Sequence, residues 1–358
     1  MLTATAPRLL LEFSGSYPAP MPSRIQHENT ALLGQYLNSW TRIFGELNHQ
    51  EDGDFENFVE TMARFDAASR AFGYQNTSVM HRAGKHLSSL CDFHGAPLFG
   101  TDVPDPDFVF GPVYGWGDCD YSSERDAGDA ADRYWQIPAF RELSGRTWAV
   151  AGFLPDDPRA KDVLDVLREM FDDGVRDFVV KGLAPKSLLV RFTLTRRPES
   201  LFGIENEIPS ELTDGCMHLE GQSEVFLVQK RLQLVNEYRM FMAGPNPVAG
   251  AGCIEKFTPL DAKGPAFDVR VEGVRGSDAI SEEPLTVGGM LGFAYYAGAL
   301  LHEQKPELGA AWVMDLAVDA ETGDLVVIEL NPARNSGLYA SSPSAWMEGV
   351  RDHLAARG

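Results

Sequence analysis

Val326–Gly337 reads VVIELNPARNSG, a strand-like apolar run that finishes in Glu329, Leu330 and Asn331 before Pro332, Arg334 and a small-residue loop. Side chains alternate across a strand, so Glu329 and Asn331 share one face while Ile328 and Leu330 share the other. Just upstream, Ala311–Val318 reads AWVMDLAV, and the turn DAETGD joins it to the run that begins at Asp324. If the two strands pair through that turn, Asp315 lies beside Glu329, directly opposite or one diagonal step away. Two carboxylates on adjacent buried strands repel and are costly to desolvate, so they demand a counter-charge. Asp315, Glu329 and Asn331 form an oxygen-only ligand set that suits Mg²⁺, with Mn²⁺ as a substitute, because such an ion keeps waters and accepts substrate phosphates. The competing reading pairs each acid with an arginine or leaves it on an exposed edge.

Cations stand where phosphates would need them. Lys181 ends the strand-like FVVKG, and Lys186 follows in the loop GLAPKS. A lysine at a strand end is usually a solvated gatekeeper, and it is the company of the other residues that gives these cations weight. In FLVQKRLQLVNEYRMFM (Phe226–Met242) the apolar pattern breaks at Gln229, Lys230 and Arg231, then returns with Glu237 and Arg239. Such a break offers main-chain groups, from Gln229 through Lys230 to Leu232, that can read an adenine edge, while Glu237 can accept from ribose hydroxyls. Arg239 shares a face with Glu237; its guanidinium either clamps a phosphate or oxyanion, or makes a salt bridge with Glu237 or a neighbouring acid.

The remaining sequence bounds these readings. A chain of 358 residues is long enough for two or three packed units without disulfide or structural metal. Its composition, 44% apolar and 23% charged, is that of an ordinary globular protein and excludes a fibrous or disordered chain. A formal charge of −21 argues against broad nucleic-acid or anionic-membrane binding, which needs basic surface. Cys91, Cys119, Cys216 and Cys253 have no paired spacing, so reduced thiols and a cytoplasmic setting are expected. The N-terminal apolar run is too short for a signal segment, and no later stretch reads as a membrane span. No Walker loop, kinase signature, GxSxG elbow or GxGxxG occurs; GAGC reads as strand, and VGGMLG as close helix packing.

Along the chain, Arg8–Phe13 reads as a strand, Asn29–Glu46 and Phe55–Phe72 as helices, and Asp107–Trp116 as strand or loop. Asp118–Asp132 is a polar excursion, and FGPVYGWGD (Phe110–Asp118) lines either a pocket or a core. The turn Pro155–Pro158 precedes a helix over Arg159–Asp173, closed by Gly174. Strands follow at Asp177–Gly182, Leu188–Leu194, Glu224–Leu234, Glu237–Ala243 and Val248–Phe257, the last two joined by GPNP. Pro284–Glu303 reads as a buried helix, and a last helix begins near Ser344. His81, His86 and His218 lack metal-pair spacing.

This order of parts (strand lysine, loop lysine, hinge strand, Glu-Tyr-Arg, Asp strand, Glu-Leu-Asn-Pro strand end) resembles the ATP-grasp superfamily over about residues 155–345. The likeness is strongest in VMDLAV with VVIELNPARNSG and clear in NEYRMFM; GLAPKSLLVRF departs from it, with one glycine where many members carry several. The resemblance implies an α/β (α+β) fold in which two α+β subdomains clamp ATP, preceded by an N-terminal α/β domain. Residues 1–150 would form that substrate domain, 151–225 the lid subdomain, and 226–358 the C-terminal subdomain with the metal site. It further implies that Lys181 and Lys186 contact ATP phosphates and that Gln229–Leu232 form the adenine hinge. Glu237 would hold the ribose and Asp315, Glu329 and Asn331 the metal. Lys186, Arg239 and Arg334 would act in catalysis, and Arg334, Asn335 and Ser336 would hold substrate. The implied reaction is ATP-dependent carboxylate–amine ligation through an acyl phosphate, on small-molecule partners and without nucleic acid or membrane; a homodimer is compatible. An ATP-grasp kinase and a non-catalytic nucleotide-binding module are the alternatives.

Overall fold

A computed structural model describes residues 8–14, 71–81, 90–92, 108–110, 133–152, 161–182, 189–201, 207–212, 225–257, 259–264, 266–333 and 336–357. The expected helices Asn29–Glu46 and Phe55–Phe72 (save its last two residues), the stretch Asp118–Asp132 and the turn Pro155–Pro158 lie outside them. So do FGPVYGWGD beyond Phe110, Lys186, Arg334, Asn335, Cys119, Cys216, His86 and His218. The chain divides into two compact units, one of Met1–Tyr134 with Val235–Val318 and Val327–Gly358, the other of Trp135–Leu234 with Asp319–Val326.

The first unit begins with a small mixed sheet. β1 (Arg8–Ser14) runs parallel to β2 (Gln75–His81) on one side and to β4 (Phe108–Phe110) on the other, and β3 (Leu90–Asp92) adds antiparallel to β2. The parallel pairs need crossover connections, as the α/β reading of this segment requires.

The second unit follows: α1 (Pro138–Leu143), β5 (Trp148–Gly152), β6 (Lys161–Asp162), α2 (Val163–Asp172), β7 (Asp177–Gly182), β8 (Leu189–Thr193) and β9 (Val225–Lys230). Its five-stranded sheet has the order β6-β5-β9-β7-β8. Asp162 caps α2 by accepting from the amides of Leu164 (2.9 Å) and Asp165 (3.3 Å), so the helix starts at Val163 rather than at the expected Arg159, and a short strand precedes it. Gly174, at φ +92°, ends it. Val163, Val166, Leu167 and Met170 then pack against Phe178, Val180, Phe192, Phe226 and Val228 on one face of the sheet. Alternation along β7 and β8 leaves Val179, Lys181, Leu189 and Arg191 on the opposite face.

Returning to the first unit, the chain forms β10 (Leu234–Ala243), β11 (Asn246–Gly252), β12 (Arg270–Glu272), β13 (Ile280–Glu282), α3 (Pro284–Gln304), β14 (Ala311–Asp319), β15 (Leu325–Pro332) and α4 (Pro343–Arg357). The functional sheet has the order β11-β10-β14-β15, with β12 and β13 as a separate hairpin. β11 stops at Gly252, five residues short of the expected Phe257; a Cβ on Gly252 would lie 2.4 Å from the Arg270 carbonyl oxygen, so only glycine admits the close approach of that chain.

Both helices close on the β10–β11 hairpin through glycine. A Cβ on Gly298 of α3 would meet Pro245 O at 2.4 Å, and one on Gly349 of α4 would meet Val248 at 2.6 Å. VGGMLG, expected to mark close packing, does not: Gly288 and Gly292 face open space, and the tight contact falls one helical stretch later. α3 is also less buried than expected, with Leu285 90% and Tyr296 59% exposed. By length and composition alone it is apolar enough to cross a membrane, contrary to the expectation that no stretch is; an uncharged run rich in glycine and alanine gives it that character, while Met290, Ala294, Ala297 and Leu301 are buried in the protein. Tyr74 donates to Met347 O (2.8 Å), and the Arg351 guanidinium covers the Phe72 ring, so early and late chain segments meet at α4.

Candidate functional site

Strands β10, β14 and β15 are neighbours in one sheet, and they carry Glu237 and Arg239, Asp315, and Glu329 and Asn331 respectively. One amide nitrogen shows that the last three converge: Asn331 Nδ2 lies 3.1 Å from Asp315 Oδ2 and 3.3 Å from Glu329 Oε1. Asp315 is 5% exposed in the middle of an otherwise apolar strand, whereas Glu329 and Asn331 are half-buried.

Arg239 forks onto Asp315, with Nε to Oδ1 and Nη2 to Oδ2 both at 2.7 Å. Its Nη1 donates to Gly337 O at 3.0 Å, and the Tyr339 ring lies 5.0 Å from the guanidinium carbon. Of the two readings open for Arg239, the salt bridge with a neighbouring acid is therefore present, and the acid is Asp315 rather than Glu237. Burial pushes the Asp315 carboxyl above the usual range and Glu329 adds to this, while Arg239 pulls the other way. For Arg239 burial works to lower the pKa, but Asp315 outweighs it and the net shift is upward.

Glu237 is held by Arg275, whose Nη1 lies 3.3 Å from its Oε2. Burial raises the Glu237 carboxyl; Arg275 opposes this, and Asp315 and Glu329 add to it, which places all three acids within electrostatic reach of one another. Arg275 Nη2 also approaches Glu255 (3.2 Å) and the Tyr339 hydroxyl (3.5 Å). Sequence reasoning missed Arg275 and Tyr339. Arg275 sits in the polar turn between β12 and β13, where nothing distinguishes it from a solvated arginine, and Tyr339 adopts φ +48° in the loop beyond β15. Ser336, in that same loop, is 2% exposed and donates to Pro332 O at 2.8 Å.

The second unit holds the other expected residues. Lys181 lies on the sheet face opposite α2, with Leu189 and Leu227 as its cross-strand neighbours. Arg191, which sequence reasoning also passed over, is one diagonal step away through Val179. Gln229 is buried at the end of β9, Lys230 is half-buried and Leu232 buried in the short unpaired stretch that follows. The amides of Lys230 and Arg231 already donate to Thr147 O and Asp177 O, both at 2.8 Å, so an adenine would have to be read by other main-chain groups of this stretch.

Among the described residues, no group of three or more His, Cys, Asp or Glu forms a metal cage. The set Asp315, Glu329 and Asn331 supplies two carboxylates and one carboxamide. That fits a hard cation which keeps water and takes substrate oxygens, not a closed protein site. The Asn331 amide presents nitrogen to the acids here; turned about its last torsion it presents oxygen.

No protein-family model matches the chain, and neither does any curated protein sequence. Solved structures do match. D-alanyl-alanine synthetase A from Vibrio cholerae O1 biovar eltor is 11% identical with a TM-score of 0.52, covering 98% of this chain and 99% of its own. D-alanine–D-alanine ligase from Bacillus anthracis is also 11% identical, with a TM-score of 0.49 over 99% of this chain and 98% of its own. The fold assignment rests on the Vibrio structure: the chain has the ATP-grasp fold, with the mixed α/β character expected from its sequence.

Proposed function

We propose that this ATP-grasp chain is an ATP-dependent carboxylate–amine ligase acting on a small amino-acid-like substrate. One observation carries the reading: Asp315, Glu329 and Asn331 converge on one sheet face in a fold shared with a D-alanyl-alanine synthetase. When bound, ATP with Mg²⁺ or Mn²⁺ supplies a phosphoryl group whose charge is partly neutralised by the metal.

The chain's own residues then have distinct tasks. Asp315, Glu329 and Asn331 would hold the metal through oxygen. Glu237 accepts from ribose hydroxyls, sharing its carboxylate with Arg275. Lys181 and Lys186 offset phosphate charge, and main-chain groups of Gln229–Leu232 face the adenine. The substrate carboxylate oxygen attacks the γ-phosphorus, ADP leaves, and an acyl phosphate results. The amine nitrogen attacks the acyl carbon, the C–O bond to phosphate breaks, and the amine loses a proton. Arg334, Asn335 and Ser336, which follow the metal-side strand in sequence, would hold the substrates. Arg239 contributes positive charge from behind Asp315.

Incubation with ATP, Mg²⁺ and pairs of amino acids tests this. The expected products are ADP, phosphate and a conjugate lighter than its parts by one water. Release of AMP would contradict the chemistry, and a stable phosphorylated product formed without any amine would identify a kinase instead.

A further inference from the structure

Arg239 is enclosed, not presented. Its side chain is 9% exposed and that of Asp315 8%, and Nε, Nη1 and Nη2 each donate to protein oxygens. The Tyr339 ring covers the guanidinium from one side. Such a group has little left to offer a transferred phosphoryl group directly. Its charge goes to Asp315, the acid that shares Asn331 Nδ2 with Glu329.

We propose that Arg239 is the resident counter-cation of Asp315, a positioning residue that fixes this acid and holds down the site's affinity for divalent ions. This deepens the metal-site reading above and rests on it. A buried carboxylate without a counter-charge, with a second acid beside it, would draw a cation strongly. With a guanidinium forked on it, Asp315 keeps its geometry without metal, and an arriving divalent ion must share Asp315 with a like charge. The result is a site that is preformed and binds metal loosely, as suits an ion that enters and leaves with a nucleotide. The same guanidinium holds Gly337 O, so the loop beyond β15 is fixed by the residue that fixes Asp315.

The test uses Mn²⁺ alone as probe, followed by electron paramagnetic resonance, with the wild type, Arg239→Met, Arg239→Lys and the double variant Arg239→Met, Asp315→Asn. Arg239→Met is expected to bind Mn²⁺ about tenfold tighter than the wild type, since a like charge is removed from beside the ion. Its thermal midpoint, lowered without metal, should rise on Mn²⁺ addition by about 2–4 °C more than that of the wild type. The double variant should lose both gains. Arg239→Lys keeps a charge without the fork and should bind about threefold tighter, which covers the case in which Arg239→Met does not fold. Equal or weaker Mn²⁺ binding by the Met and Lys variants overturns the proposal while leaving the metal site standing. A wild type that binds no Mn²⁺, with or without ATP, overturns both.

Discussion

Asp315 has two duties that pull apart on mutation. It faces the proposed metal, and it is also the buried partner of Arg239. Asp315→Asn should therefore cost about 3–5 kcal/mol of stability, because a buried guanidinium is left without its acid; chemical denaturation of the two proteins checks this. Glu329 is the cleaner probe, being half-buried on the last strand of the sheet where Asp315 is buried. Glu329→Gln should lower kcat about 100-fold or more while shifting the unfolding midpoint little. Unchanged turnover in Glu329→Gln would dismiss the metal assignment whichever bond the enzyme forms.

The β10–β11 hairpin depends on glycines that no side chain can replace. Gly244 has φ +54°, and a Cβ there would lie 2.1 Å from the His353 ring, while one on Gly298 would strike Pro245 O. Gly298→Ala should destabilise by about 1–3 kcal/mol, read as a lower denaturation midpoint. Against this hairpin α3 and α4 bring together His302 and His353, with ring centroids 6.1 Å apart. Burial lowers both below the ordinary imidazole pKa; a bond to Gly309 opposes this in His302, and Arg357 reinforces it in both. Their folded pKa values lie below the unfolded one, so the stability they carry is present above about pH 6.5 and is lost as pH falls through their folded values. Glu237, raised by burial, acts with the opposite sign at lower pH. The double variant His302→Gln, His353→Gln should flatten the decline in thermal midpoint between pH 7 and 5. None of this pairing could be read from the sequence, where the two histidines are 51 positions apart on separate helices. The strands were readable because alternation and turn chemistry are local: β14, β15 and the face shared by Glu329 and Asn331 follow from period and turn alone. What Arg239 and Arg275 touch depends on register between distant strands and on a turn's path, which no local pattern encodes. The same limit misplaced the close-packing glycines, since VGGMLG and Gly298 differ in neighbours and not in composition.

A chain of net charge −21 repels itself when compact, so its thermal midpoint should climb as NaCl rises from about 10 to 150 mM and the Debye length falls from roughly 30 to 8 Å. A flat response would mean that local pairs such as Arg197–Asp172 and Lys161–Glu169 already dissipate the repulsion. The division of the chain has a different outcome, one set by the order of synthesis. The second unit draws its apolar core from one uninterrupted stretch, Ala151 to Val228, and can collapse soon after the ribosome passes that stretch. The first unit is split three ways and includes α4, whose Met347 and Arg351 receive Tyr74 and Phe72. At ordinary elongation rates Phe72 and Tyr74 wait on the order of 15–55 s for those partners. Nascent chains halted before Pro343 should thus resist protease within α2 and β7–β9 while the contacts of Phe72 and Tyr74 with α4 are still unmade, so contacts of residues made early are among the last to be secured.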